Sequence, residues 1–169
     1  RFSSPYLNDM DAALYAATYH SRLPLYSGTS RAGAGLTPAT TASYFVEYPK
    51  DIRMVGMSFN TTIPFDFSIQ GEYSYKQGQP LQIDDVELLL AGLGAPSQIN
   101  PNAGATLGGQ YLRGWRRKDV SQADIGLTRL FGPSSWMRSE QTLLVAEAAI
   151  THVHDLESQS VLRYEGPAT

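Results

Sequence analysis

The stretch FDFSIQGEYSYK (residues 65–76) alternates without exception between two kinds of side chain over its whole length. The first set consists of Phe65, Phe67, Ile69, Gly71, Tyr73 and Tyr75. The second set consists of Asp66, Ser68, Gln70, Glu72, Ser74 and Lys76. Because successive side chains of a β-strand point to opposite faces, the pattern predicts a strand with one apolar, aromatic-ended face and one polar face. The fold class depends on whether the apolar face contacts a protein core or lipid.

The composition of the chain excludes several classes of protein. The 169 residues have the size of one domain, and no run approaches the roughly 20 apolar residues of a membrane-spanning helix. A spanning strand needs only about 9–11 residues, half of which can be polar. The net charge of −3 gives no support for a nucleic-acid partner, and the lack of cysteine excludes disulfides and thiolate metal sites. The ten Tyr, fifteen Gly and ten Pro favour strands and turns.

The remaining periodic segments predict an all-β chain of about six strands. The predicted strands cover residues 11–20, 52–63, 65–76, 110–118, 122–131 and 142–153. Long loops are expected at 21–51 and 77–109, the second with a helical turn or two at 86–93, and short ones at Pro64 and 119–121. This alternation of long and short connections is typical of an up-and-down outer-membrane barrel with long loops at one rim.

Strand length and the position of the aromatic residues favour lipid as the neighbour of the apolar face. Twelve residues rising about 3.3 Å each and tilted by roughly 40° cover about 30 Å, which matches a bilayer. Phe65 and Phe67 at one end and Tyr73 and Tyr75 at the other are placed as interfacial aromatic girdles would be. A soluble β-barrel or sandwich that binds a ligand or protein partner gives the same alternation, so this alternative stays open.

Most of the chain resembles a known bacterial family. The resemblance lies in YFVEYPKDIRMVGMSFNTTIPFDFSIQGEYSYKQGQPLQIDD (44–85), TLLVAEAAITHVHDL (142–156), NDMDAALYAATYHSRLP (8–24) and YLRGWRRKDVSQADIGLTRLFG (111–132). These segments resemble the family catalogued as domain of unknown function 1302, whose members are longer Gram-negative envelope proteins regarded as outer-membrane β-barrels. The resemblance implies that this chain is an internal or C-terminal part of such a barrel. Six strands are too few to close it, so further segments or partner chains are expected to supply the rest.

The face assignments define the candidate transport residues. Asp66, Ser68, Gln70, Glu72, Ser74 and Lys76 are predicted to line a lumen. The predicted lipid-facing residues are Phe65, Phe67, Ile69, Tyr73 and Tyr75. We expect a porin-like passive channel for small hydrophobic or amphipathic molecules, in contact with membrane lipid and without a cofactor. An outer-membrane enzyme is a third hypothesis, for which no catalytic residue is assigned.

Three clusters are weaker site candidates. His152 and His154 share a strand face and could begin a metal site, although His20 is the only other histidine. An anion or lipid A phosphate could be bound by the basic cluster Arg113, Arg116, Arg117 and Lys118. A calcium ion could be bound by Asp84, Asp85 and Glu87, but these lack the spacing of a dedicated calcium loop.

Overall fold

A computed structural model describes residues 2–4, 10–33, 41–102, 108–133 and 138–166 of the chain. These residues form strands β1 (Phe2–Ser4), β2 (Met10–Tyr19), β3 (Leu25–Thr29), β4 (Ser43–Glu47), β5 (Ile52–Ile63), β6 (Phe67–Gln82), helix α1 (Asp85–Leu93), and strands β7 (Tyr111–Leu112), β8 (Trp115–Phe131) and β9 (Thr142–Val153). Within the described ranges, α1 is too short to cross a membrane as a helix.

The strands form two sheets, and the chain divides into two compact units. The larger sheet has the order β1-β2-β5-β6-β8-β9 and the smaller one the order β4-β3-β7. Unit 1 comprises residues 1–18, 53–77 and 119–154, and unit 2 comprises residues 19–52, 78–118 and 155–169. The predominantly β fold with antiparallel hairpins is confirmed. In the part of the chain that the structure describes, the six-stranded sheet ends at the edge strands β1 and β9 instead of closing on itself.

The hairpin around Pro64 is confirmed, but its second strand begins later and runs further than predicted. Strand β5 has the predicted bounds, and it pairs antiparallel with β6 from Arg53 opposite Gln77 to Ile63 opposite Phe67. Phe65 and Asp66 lie in the turn, with φ of 69° and 57°. A tight turn of the chain needs such left-handed backbone conformations. The alternation of apolar and polar residues in the sequence nevertheless continues through this turn. The placement of Phe65 on the lipid face and of Asp66 on the lumen face of a strand is therefore wrong.

The two predicted strands at 110–118 and 122–131 are also corrected. Residues 115–131 form one continuous strand, so no turn exists at 119–121, and residues 111–112 belong to the smaller sheet. The segment 119–121 contains neither Gly nor Pro, and its polar side chains are bonded across the sheet. Polarity alone was an insufficient signal for a turn there.

The two predicted long loops contain structure of their own. Strands β3 and β4 pair within 21–51, and within 77–109 strand β6 continues to Gln82 and helix α1 follows. The Asp84 carboxylate caps the helix by accepting from the backbone amides of Val86 and Glu87. Gly94 ends it with φ of 75°, a conformation that favours glycine. Unit 2 therefore has a small core, in which Leu88, Ala91 and Leu112 are buried.

Strand order still follows an up-and-down pattern. From β2 to β9, each strand of the larger sheet lies beside the next one of that sheet along the chain. The intervening segments are long (20–51), short (64–66), long (83–114) and medium (132–141). The alternation thus survives with four connections instead of the five expected.

Candidate functional site

The larger sheet presents one face that is apolar across neighbouring strands of unit 1, which we call the apolar face. The β5–β6 register places Val55, Met57 and Phe59 opposite Tyr75, Tyr73 and Gly71. The β8–β9 register places Ala123, Ile125 and Leu127 opposite Ile150, Ala148 and Ala146. The two hairpins are joined on this face by a hydrogen bond of 3.3 Å from the Tyr73 hydroxyl to the Ser121 Oγ. The registers thus place the apolar side chains of the paired strands opposite one another on a single face.

No second layer of protein formed by the described residues covers the apolar face. Among the described residues of unit 1, Val120 is the one large apolar side chain that is buried. Large apolar side chains of the face are 41–68% exposed: Val55, Met57, Tyr73, Ile125, Leu144 and Ile150. Phe67, Ile69 and Tyr75 are half-buried. The described part of this unit therefore lacks the core that normally pays for folding a sheet in water.

Aromatic residues mark both ends of the apolar face. At the end near the β5–β6 turn, the Arg129 guanidinium carbon lies 4.7 Å from the centre of the Phe67 ring and 4.4 Å from that of Phe131. At the other end, the rings of Tyr75 and His154 lie edge to face at 5.9 Å, and those of His152 and His154 at 4.7 Å. The Tyr75 hydroxyl donates to Asp119 at 2.6 Å. Between these ends the side chains are mainly aliphatic.

The opposite face, here called the polar face, carries most of the predicted lumen residues. Strand alternation places Ser68, Gln70, Glu72, Ser74 and Lys76 together. The Lys76 ammonium donates to the Gln122 side chain at 3.1 Å, and the Tyr15 hydroxyl donates to Glu72. A cavity of about 470 Å³ lies here, bordered by Asp11, Asn60, Gln70, Glu72 and Asp124.

Glycines allow two of the polar-face side chains to lie across the sheet. A Cβ added to Gly56 would lie 2.3 Å from the ring of Tyr15, and one added to Gly126 would lie 3.0 Å from the Gln70 amide nitrogen. These strand glycines therefore hold positions where a neighbouring side chain covers the backbone. The sequence pattern contained the glycines but not the identity of the side chains above them.

The polar face is less uniform than the sequence predicted. Leu130, Leu143 and Val145 lie on this face by register and are 54–61% exposed. They cluster at the end of the β8–β9 hairpin, where Leu144 lies opposite Arg129 on the apolar face. Strand β9 is exposed along nearly its whole length because it forms an edge of the sheet.

The histidine pair is bonded to a serine that sequence reasoning did not select. The His154 Nε2 lies 2.7 Å from the Ser121 Oγ, which lies one strand away. Ser121 lies in β8, between β6 and β9 in the sheet. The backbone amides of β8 donate hydrogen bonds to these two strands, so they are not available to form an oxyanion hole. Across the described ranges, no group of three or more His, Asp or Glu is placed to hold a metal ion. The geometry thus fits a cluster of hydrogen-bonded polar side chains at the end of the sheet that carries Tyr75 and the two histidines.

The basic cluster is mostly engaged within unit 2. The Arg117 guanidinium donates to the carbonyls of Gly78 and Lys50, and the Lys118 ammonium forms an ion pair of 2.7 Å with Glu157. Arg116 donates to the carbonyl oxygen of Trp115 at 3.3 Å. Arg113 lies over the Trp115 ring at 4.8 Å and makes no hydrogen bond to a described residue. Of the four predicted anion contacts, Arg113 is the one without a hydrogen bond to a described residue, although its charge also helps to lower the pKa of Glu47.

Two carboxylates of unit 2 have internal structural partners. Glu47 accepts from the Tyr111 hydroxyl at 2.8 Å, the Trp115 indole at 2.9 Å and the Ser27 hydroxyl. Burial alone would raise the pKa of Glu47, but these hydrogen bonds outweigh it and hold the pKa below its usual value.

Glu87 is buried and pairs with Arg163, while the backbone amide of Gln98 donates to it at 2.6 Å. That amide and the Arg163 guanidinium lower the pKa of Glu87 against the opposing effect of burial. Asp84 is occupied as the helix cap. Two of the three carboxylates considered for calcium are thus committed to the protein itself.

These observations define the class of protein: a predominantly β chain with antiparallel sheets, whose larger sheet is open and has chemically distinct faces. The family model described as "Protein of unknown function (DUF1302)" matches residues 1–168, and the chain belongs to this family, as the sequence resemblance indicated. No curated protein and no solved structure matches the chain.

Proposed function

We propose that the larger sheet is part of an outer-membrane β-barrel that acts as a passive conduit for small hydrophobic or amphipathic molecules. The observation that carries this proposal is the uncovered apolar face of unit 1, opposite a face of hydrogen-bonded polar side chains. In a transmembrane barrel, lipid replaces the missing core and the polar face lines a wet lumen. A contiguous apolar surface of this kind is rare on soluble monomers.

The length of the paired strands also supports a lipid bilayer as the surroundings of the larger sheet. The β5–β6 ladder joins eleven residue pairs, from Arg53–Gln77 to Ile63–Phe67. Ten steps of about 3.4 Å at a tilt of roughly 40° cover about 26 Å, close to the apolar band of about 25 Å in outer-membrane barrels. The aromatic residues at both ends of the face correspond in this proposal to the two interfacial girdles.

The two free edges of the sheet fit a barrel that is completed elsewhere. Among the described residues, no strand pairs with the outer side of the twelve-residue strand β9, and a bilayer would not tolerate the unpaired backbone groups along this edge. We propose that other segments of the same barrel, or partner chains, pair with these edges. Arg113 is retained as a contact for an anion or a lipid A phosphate.

Ion selectivity of the complete barrel in planar bilayers, with the segments or partner chains that pair with its edges, tests the conduit. If the polar face lines the lumen, Asp124→Lys should shift selectivity towards anions, because a positive charge replaces a negative one beside the path. The matched variant Ile150→Thr, on the apolar face and 68% exposed, should leave selectivity unchanged. Absence of conductance, or an equal effect of both variants, would refute the proposal.

The second candidate is a soluble β domain that binds a ligand or protein partner. It is favoured by unit 2, which has its own buried residues and a capped helix. Extraction from cell envelopes separates the two: a conduit requires detergent, whereas the soluble domain is released by buffer alone.

A further inference from the structure

A second cavity lies within unit 2, between helix α1 and strands β3 and β4, and encloses about 520 Å³. Tyr26 and Tyr44 line the strand side, and Val86, Leu88 and Leu89 line the helix side. Sites for small molecules typically enclose roughly 300–1,000 Å³ and are lined mainly by apolar and aromatic side chains with a few polar groups. This cavity has both properties.

Glycines keep the cavity open. Gly92 is buried in the last turns of the helix, yet a Cβ added there would meet no atom within 4 Å. Gly92 therefore borders a part of the cavity that the described residues do not fill. On the strand side, a Cβ added to Gly28 would lie 3.8 Å from Leu88, so the floor of the cavity is closely packed.

The lining selects a class of ligand. The rings of Tyr26 and Tyr44 meet edge to face, with centres 6.4 Å apart and planes at 68°, and form an aromatic corner. A third ring placed in such a corner gains stacking or edge contacts beyond its buried area. Tyr44 is 78% exposed and Leu89 61% exposed, so this apolar surface lacks a cover among the described residues. Among the described lining residues, Asp85 is the one that carries a charge, and this charge disfavours an anion.

We infer that this cavity binds a small, uncharged, largely apolar molecule that carries an aromatic ring. The ring lies against Tyr26 and Tyr44, and the remaining apolar surface lies against Val86 and Leu89. Thr29 and Ser43 also border the cavity, but strand alternation directs their side chains to the face opposite to that of Tyr26 and Tyr44, so the ligand meets few polar groups there. The inference deepens the proposed function by naming a class of molecule that the conduit would carry. That this ligand is transported rests on the proposed function, whereas its binding to the cavity does not.

Fluorescence titration with 1-aminoanthracene tests the inference. This probe is uncharged at pH 7 and brightens in apolar surroundings, so the chain is held in lipid nanodiscs and the signal of empty nanodiscs is subtracted. We expect saturable binding that is weakened at least tenfold in Gly92→Phe, which fills the cavity, and in Tyr44→Ser, which removes one wall. Gly132→Phe is the matched control, because its Cβ also meets nothing within 4 Å and it lies outside the cavity.

The outcomes separate this inference from the conduit. The cavity assignment is overturned if binding is not saturable, even where conductance is present. It is also overturned if Gly92→Phe and Gly132→Phe bind the probe equally well while both have the circular dichroism spectrum of the unsubstituted chain. Binding of the anionic probe anilinonaphthalene sulfonate as tight as that of 1-aminoanthracene overturns the charge argument for Asp85. Binding with the expected variant pattern but without conductance supports the cavity and overturns only the conduit.

Discussion

Lysine substitutions at Ala148 and Ala149 measure the difference between the two faces of the larger sheet. Both alanines are exposed neighbours on β9, so the chemical change and the loss of packing are the same. Ala148 lies opposite Ile125 on the apolar face, near the middle of the β8–β9 ladder, and Ala149 lies opposite Asp124 on the polar face. The pair therefore differs mainly in what surrounds the new side chain.

The magnitude follows from the surroundings. At a bilayer midplane a lysine on the lipid face costs about 2–4 kcal/mol, which weakens the folding equilibrium roughly 30-fold to 700-fold. Ala149→Lys gains an opposite charge across the strand pair, a contribution of about 0.2–1 kcal/mol. On a soluble sheet, both exposed substitutions would stay within about 0.5 kcal/mol.

Guanidinium titration in phospholipid vesicles, followed by the shift in gel mobility of the folded form, gives both free energies of unfolding. We expect Ala148→Lys to be less stable than Ala149→Lys by at least about 2 kcal/mol. Equal stabilities of the two variants would refute the assignment of the apolar face to lipid.

Three further predictions concern unit 2. The Lys118 ammonium lowers the pKa of Glu157 from 4.5 to about 2, so its stabilising contribution is complete above pH 4.5 and is lost as the pH falls towards 2. Glu157→Gln should flatten this part of a plot of unfolding free energy against pH; an unchanged slope would contradict the ion pair. Gly114→Ala should destabilise unit 2 by about 1–3 kcal/mol or more, because the new Cβ would lie 2.0 Å from a backbone carbonyl oxygen. Urea unfolding measures this loss, and a variant as stable as the unsubstituted chain would contradict the close contact. Glu47→Ala should cost about 1–3 kcal/mol by leaving the Trp115 indole without its acceptor, and unaltered tryptophan emission and urea midpoint would argue against this.

Alternation identified the faces of the larger sheet but not the ends of its strands. The two-residue period puts the apolar side chains of 52–63, 122–131 and 142–153 on one face of each strand, and the observed registers place them opposite those of the paired strand. The same period continued through Phe65 and Asp66, where positive φ places both residues in a turn. A period describes side-chain types and carries no direct information about backbone direction.

The structure of unit 2 depended on contacts that no local pattern contains. Strand β3 pairs with β4 and with residues 111–112, which lie more than 80 positions further along the chain. Glu47 receives hydrogen bonds from Tyr111 and Trp115, which lie 64 and 68 positions further along the chain. The cavity beside α1 arises from these long-range pairings, and the short apolar run 86–93 predicted only the helix that forms one of its sides.

Accessibility of spin labels along β6 tests most directly whether lipid covers the apolar face. The chain contains no cysteine, so single substitutions from Ile69→Cys to Tyr75→Cys each carry one nitroxide without background labelling. In phospholipid vesicles we expect accessibility to molecular oxygen to peak at the odd positions, and accessibility to a water-soluble nickel complex to peak at the even ones. High nickel accessibility at Ile69 and Tyr73, equal to that at Gln70 and Glu72, would contradict the account.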